Sequence, residues 1–163
     1  MKALAIILIV LVLVAVGGVG YLYLSANLTV RYDSCIATAA VSQLDYFNQL
    51  KSSVASQSFV GTRYTSAELD SAEKYQFLTY TLSLSNHAFL EADVIEIRIT
   101  PMQGDVLQLG DEQLHSLSAG RTAQFSATIL TDLNMHSVRE ATVTCYFWGI
   151  PFSTKLTLGS SGA

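Results

Sequence analysis

The chain has 163 residues, half of them hydrophobic and only 13% charged. That is room for one ordinary domain plus an appendage. Nine Lys and Arg against thirteen Asp and Glu give a net charge of −4. There is no basic cluster or basic–aromatic interleaving, so nucleic acid is excluded as a partner class.

The first element is an apolar run. Ala3 to Leu24 is 22 residues without a charge, mostly Leu, Ile, Val and Ala. At 1.5 Å per residue a helix of that length reaches about 33 Å, enough for a hydrocarbon core of roughly 30 Å. The run is longer than a signal-peptide core, and the best cleavage position, after Ala26, has Leu24 rather than a small residue at −3. Residues 1–26 therefore read as an uncleaved single-pass transmembrane anchor. Lys2 on the near side, against Arg31 followed by Asp33 on the far side, predicts a cytoplasmic N-terminus. Residues 27–158 would then form an extracytoplasmic domain, with 159–163 a flexible tail.

"NLTVRY" alternates apolar and polar residues and reads as a short strand. The period then lengthens: Val41, Leu44, Phe47, Leu50 and Val54 recur every three or four positions, predicting a helix at about 38–56 that covers one face or end of the domain. Ser66 is placed to cap a second short helix through Leu69, Ala72 and Tyr75. From Tyr75 onward the texture is β. "QFLTYTLSLSN", "DVIEIRIT", "GDVLQLG", "RTAQFSATIL", "EATVTCYFWGI" and "FSTKLTLG" each have one apolar face and are separated by Gly, Asn, Asp and Pro. Pro101 and Pro151 fall at strand ends, where a missing N–H costs little. Six or seven such strands predict an antiparallel β-sandwich.

Chemistry is sparse. His87, Glu91, Asp93 and Glu96 lie within ten residues, but strand alternation puts Glu96 on the water side beside Arg98, opposite Ile95, Ile97 and Ile99. The remaining three, with Asn86, fall short of a calcium loop's ligand number and read as a polar turn. His115 and His136 sit alone in loops, and no nucleophile elbow, phosphate loop or HExxH occurs. The expectation is no enzyme, no catalytic residue, no metal and no cofactor. Cys35 and Cys145 would pair in an oxidising compartment if the fold brought them together, and otherwise stand as two buried thiols. In "CYFWG", Tyr146 and Trp148 are placed opposite Cys145 and Phe147 and form a candidate binding surface.

The strand "YTLSLSN" ending at Asn86, the apolar turn Phe89–Leu90, the strand "VIEIRI" and the segment "SLSAGRTAQFSATI" come in an order that resembles the type 2 late embryogenesis abundant (water-stress and hypersensitive-response) domain. The same span, about residues 75–158, is similar to small Ig-like or fibronectin III-like modules in which a loop such as Leu117, Ala119, Gly120 leads to Phe125. The resemblance implies a membrane-tethered Ig-like sandwich without catalytic residues, acting in stress protection or partner binding. Asn86 would be a structural turn residue, with Phe89 and Leu90 folding back on the core. The expected function is thus a membrane-anchored, extracytoplasmic, non-enzymatic module for protein binding or stress-related protection. The alternative is an accessory or structural subunit of a larger membrane assembly that uses the anchor helix as an interface, and a hydrolase ranks below both.

Overall fold

A computed structural model describes residues 2–25, 27–110 and 114–159. The tail expected at 159–163 lies, from residue 160 on, outside the described residues, as does the acidic doublet Asp111–Glu112.

Helix α1 spans Lys2–Ser25. Among the described residues no helix is long and apolar enough to cross a membrane. The expectation of a single-pass anchor is corrected accordingly. The orientation and the extracytoplasmic placement built on that anchor go with it.

Eight strands follow: β1 (Leu28–Ala39), β2 (Gly61–Arg63), β3 (Tyr75–Asn86), β4 (Asp93–Ile99), β5 (Asp105–Leu109), β6 (Thr122–Asp132), β7 (Arg139–Phe147) and β8 (Ile150–Leu158). They form two antiparallel sheets, ordered β1-β3-β6-β5-β2 and β4-β7-β8. With β2 set aside, this is the arrangement of a constant-type immunoglobulin sandwich, four strands facing three. The expected mainly-β, two-sheet architecture is present.

The main core lies between the sheets. Leu78, Tyr80, Leu82 and Leu84 of β3 and Ile129 of β6 meet Ile99, Val143, Cys145 and Leu158 from the opposing sheet. The alternation of apolar residues in each strand produces this layer directly, because successive side chains point to opposite faces.

The other face of the larger sheet is split. Its upper half carries hydroxyls that pair across strands, Thr79 with Thr128 at 3.0 Å and Ser85 with Thr122 at 2.8 Å. Its lower half is covered by helix α2 (Leu44–Ala55). Phe47, Leu50 and Val54 pack with Ala40, Leu69, Phe77, Leu107 and Leu130 in a second small core. Strands β3 and β6 are therefore apolar on both faces at that end, and "YQFL" is buried without alternation. The helix expected at 38–56 begins as a 3₁₀ turn at Ala40–Gln43, which leaves Val41 and Leu44 exposed. The second expected helix is reduced to a 3₁₀ turn at Ala72–Lys74.

Strand β1 is twice as long as "NLTVRY" suggests. A bulge between Tyr32 and Ser34 shifts the register and breaks the alternation. Asp33, at the bulge, accepts hydrogen bonds from Ser83 Oγ and from Gln124 Nε2 at 3.3 Å, and pairs with Arg31 at 3.1 Å. At the opposite end, a fully buried ion pair joins the sheets. Arg139 donates from Nε and Nη2 to the two carboxylate oxygens of Asp105 at 2.8 and 2.7 Å.

Candidate functional site

Antiparallel pairing decides which loops meet. Leu28 opposes Asn86 and Thr122 opposes Ser85, so the start of β1, the end of β3 and the start of β6 share one end of the sandwich. Asp93 opposes Tyr146, and Ala92 bridges to Leu117, which brings the β3–β4 loop, the β5–β6 loop and the β7–β8 turn to that same end.

Asn86 holds these loops together. Buried at the end of β3, it donates from Nδ2 to the carbonyls of Leu90 (2.8 Å) and Leu117 (2.9 Å). Its Oδ1 accepts the Ala88 N–H at 3.0 Å. One amide thus closes its own turn and ties it to the β5–β6 loop. The turn's inward residues are Ala88 and Ala92, with Leu90 partly buried against the core. Phe89 departs from the expectation, since it is 71% exposed. A six-residue connection held by Asn86 at Ala88 and Leu90 leaves room for small inward side chains and turns the large ring out.

Trp148 is likewise placed differently from a strand residue. Phe147 opposes Ile150, so Trp148 and Gly149 are the two central residues of a hairpin, both with positive φ (53° and 76°). Such two-residue turns favour Asn-Gly, and an indole there is strained. Trp148 is 71% exposed, whereas Tyr146 is half-buried in the sheet, opposite Asp93 and Pro151. Leu114, in the β5–β6 loop, is 83% exposed. Sequence periodicity missed Phe89 and Leu114, because a loop has no alternation that would say which way a side chain points.

The clustered acids resolve as a polar surface. Glu96 pairs with Arg98 at 2.9 Å, Glu91 accepts from Ser116 Oγ, and His87 and Asp93 are exposed. Among the described residues, no three His, Cys, Asp or Glu side chains are grouped to hold a metal. Cys35 and Cys145 are both free thiols, Cys145 in the core between the sheets and Cys35 packed against it.

The open side of the sandwich lies between the β4 edge and β6. There Gln108 of β5 donates from Nε2 to the Ile97 carbonyl and accepts the Ile99 N–H at 2.9 Å. Tyr64 Oη lies 2.9 Å from both the Ile99 carbonyl and Gln108 Oε1. Two side chains thus replace a neighbouring strand along that part of β4.

Burial pushes the Tyr64 hydroxyl up to about 12 and the Cys145 thiol up to about 11. The folded chain keeps these protons after the unfolded chain has lost them. Their contribution is intact below the unfolded values of 9.0 and 10.0 and is lost as pH rises through 11 and 12. Denaturant midpoints are expected to fall steadily between those pH values, and Tyr64→Phe should flatten the upper part of the decline. An unchanged slope in that variant would remove Tyr64 from this account.

The chain matches no known protein family and no curated protein. Several solved structures are loosely similar. A FixG-related protein from Vibrio parahaemolyticus is 12% identical, over 85% of this chain and 98% of that one, with a TM-score of 0.38. A protein assigned as ApaA from Bordetella pertussis is 17% identical, over 85% and 97%, with a TM-score of 0.38. The cupredoxin domain of amoB from Nitrosocaldus yellowstonii is 10% identical, over 83% and 90%, with a TM-score of 0.32. Likeness at this level gives no residue of this chain a role, and the fold assignment stands on the chain's own strand order.

Proposed function

We propose that this β-sandwich is a non-catalytic module that binds a protein partner through its loop end. One observation carries the reading. Among the described residues of the sandwich, the three most exposed large apolar side chains are Leu114, Phe89 and Trp148; Phe89 and Trp148 sit on two loops at the same end, and Leu114 lies on the loop that runs from that end along the β4 edge. Two are aromatic, the residue types that anchor interfaces at low entropic cost. The sandwich scaffold presents loops at its ends, and variable-type domains bind through that region. The strain at Trp148 supports the same conclusion, because a residue chosen for the turn alone would be Asn or Gly.

The test separates stability from binding. Trp148→Asn is expected to stabilise the chain by about 0.5–1 kcal/mol by relieving the positive φ. The same change should weaken partner capture. A photo-crosslinking residue placed at position 89 or 148 should yield a discrete protein adduct in cells of the source, and one at Leu133, at the far end, should not. Equal labelling from both ends, or a Trp148→Asn variant that crosslinks from position 89 as well as wild type, would overturn the assignment.

A further inference from the structure

The side of the sandwich between β4 and β6 contains a cleft of ≈ 750 Å³, within the range of about 300–1,000 Å³ usual for ligand sites. One wall is β6 over Ala123–Ala127 and the other is β4 over Val94–Ile97. Both walls are strand edges without a strand beside them. Strand β5 pairs with β6 only from Thr131 to Ile129, so the first half of β6 has β3 on one side and the cleft on the other.

Hydrogen-bond parity says which backbone groups face the opening. Asn86 N–H bonds to the Arg121 carbonyl and Asp132 N–H to Gly104, so odd residues of β6 bond toward β3 and even ones point away. Gln124 and Ser126 therefore turn their N–H and C=O toward the cleft. On β4, Thr100 N–H bonds to Glu140, which leaves Ile95, Ile97 and Ile99 pointing away from β7. The Ile95 N–H goes to His115, and Gln108 and Tyr64 occupy the Ile97 carbonyl and both groups of Ile99. The Ile95 C=O and the Ile97 N–H remain, between the two clasps, with no protein partner among the described residues. The walls thus offer both donors and acceptors at strand spacing. Glu96 is the one carboxylate among the lining residues and is already paired with Arg98, no Lys or Arg lines the cleft, and His115 is the other titratable side chain there.

We propose that this cleft binds an extended, uncharged peptide segment of the partner, which pairs its backbone with the Ile95–Ile97 edge and the Gln124–Ser126 edge. Alternate side chains of the segment rest on Phe125 and Val94. Main-chain pairing supplies the affinity and the apolar contacts set the register. The proposal rests on reading the module as a protein binder, and it assigns the binding to a site that is continuous with the loop end through Val94 and Leu114.

The experiment selects peptides from an unbiased display library on the immobilised full chain. A selected peptide is then synthesised with N-methyl groups at alternate residues, in each of the two phases. One phase should lower affinity about tenfold, the cost of losing one or two backbone bonds, and the other should not. Ile97→Pro, which removes a cleft donor at an edge position, should cause a similar loss, read at a temperature where circular dichroism shows the variant folded, because Ile97 also packs against the core. Failure to enrich any peptide, or insensitivity to both methylation phases, overturns the cleft. Loss with Phe89→Ser and Trp148→Ser but not with Ile97→Pro overturns the cleft while sparing the loop end. The reverse pattern keeps the cleft and removes the loop end.

Discussion

Arg139→Ala is expected to destabilise the chain by about 3–5 kcal/mol, roughly 10–20 °C in Tm for a domain of this size. Both charged side chains of the Arg139–Asp105 pair are fully buried. Every part of the pair is matched. Arg139 also donates from Nη1 to the carbonyls of His136 (2.8 Å) and Val138 (2.7 Å), and Asp105 Oδ2 accepts the Met102 N–H at 2.8 Å. Removing the guanidinium leaves a carboxylate and two carbonyls without these partners in the interior, and that desolvation, more than the lost attraction, sets the cost. Asp105→Ala should be similarly severe. Replacing both at once with Leu and Met should recover much of the loss, since no unpaired charge then remains. Chemical denaturation of the two single variants and the double variant closes the cycle. Strictly additive losses would show that the two residues act independently. Added salt should change little, because a pair without solvent contact is barely screened.

That pair was invisible in the sequence for a physical reason. Arg139 and Asp105 are 34 positions apart and each opens a strand, where a charged residue reads as a solvent-facing turn. What was legible was local. Period-two alternation placed Leu82, Leu84, Ile99, Val143 and Leu158 inward and Glu96 outward, because one strand face is a property of a few consecutive residues. Strand β2 and the bulge at Asp33 lacked such a signal. Three residues are too few for a period, and a bulge interrupts the alternation that would mark it. The candidate site was partly legible. "CYFWG" pointed to Trp148, but assigned it to a sheet face, since the positive φ that makes it a turn residue depends on the hairpin closing at Phe147 and Ile150. Leu114 and Phe89 became visible only when the pairing of β1, β3, β6 and β7 gathered three loops at one end. The apolar run at the N-terminus was the most emphatic signal in the chain. Among the described residues no helix is nonetheless long and apolar enough to cross a membrane.

Asn86→Ala should cost about 2–4 kcal/mol, and the damage should concentrate at the loop end. The side chain is 1% exposed and makes three hydrogen bonds, so alanine strands the Leu90 and Leu117 carbonyls and the Ala88 N–H in a region with little access to water. Asn86→Asp tests the chemistry more closely. It retains the acceptor for Ala88 but replaces the Nδ2 donor with an oxygen facing two carbonyls, so it should be nearly as damaging as alanine at neutral pH. Acidification should restore part of its stability, because a protonated carboxyl regains one donor. Hydrogen exchange reads the location: the amides of Ala88, Ala92 and Leu117 should lose protection in both variants, while those in the middle of β3 and β7 keep theirs relative to global stability. Uniform loss across the sandwich would make Asn86 an ordinary core residue. Localised loss would identify it as the clamp that fixes the loops carrying Phe89 and Leu114, and a binder at that end should then lose affinity in Asn86→Ala under conditions where the sandwich remains folded.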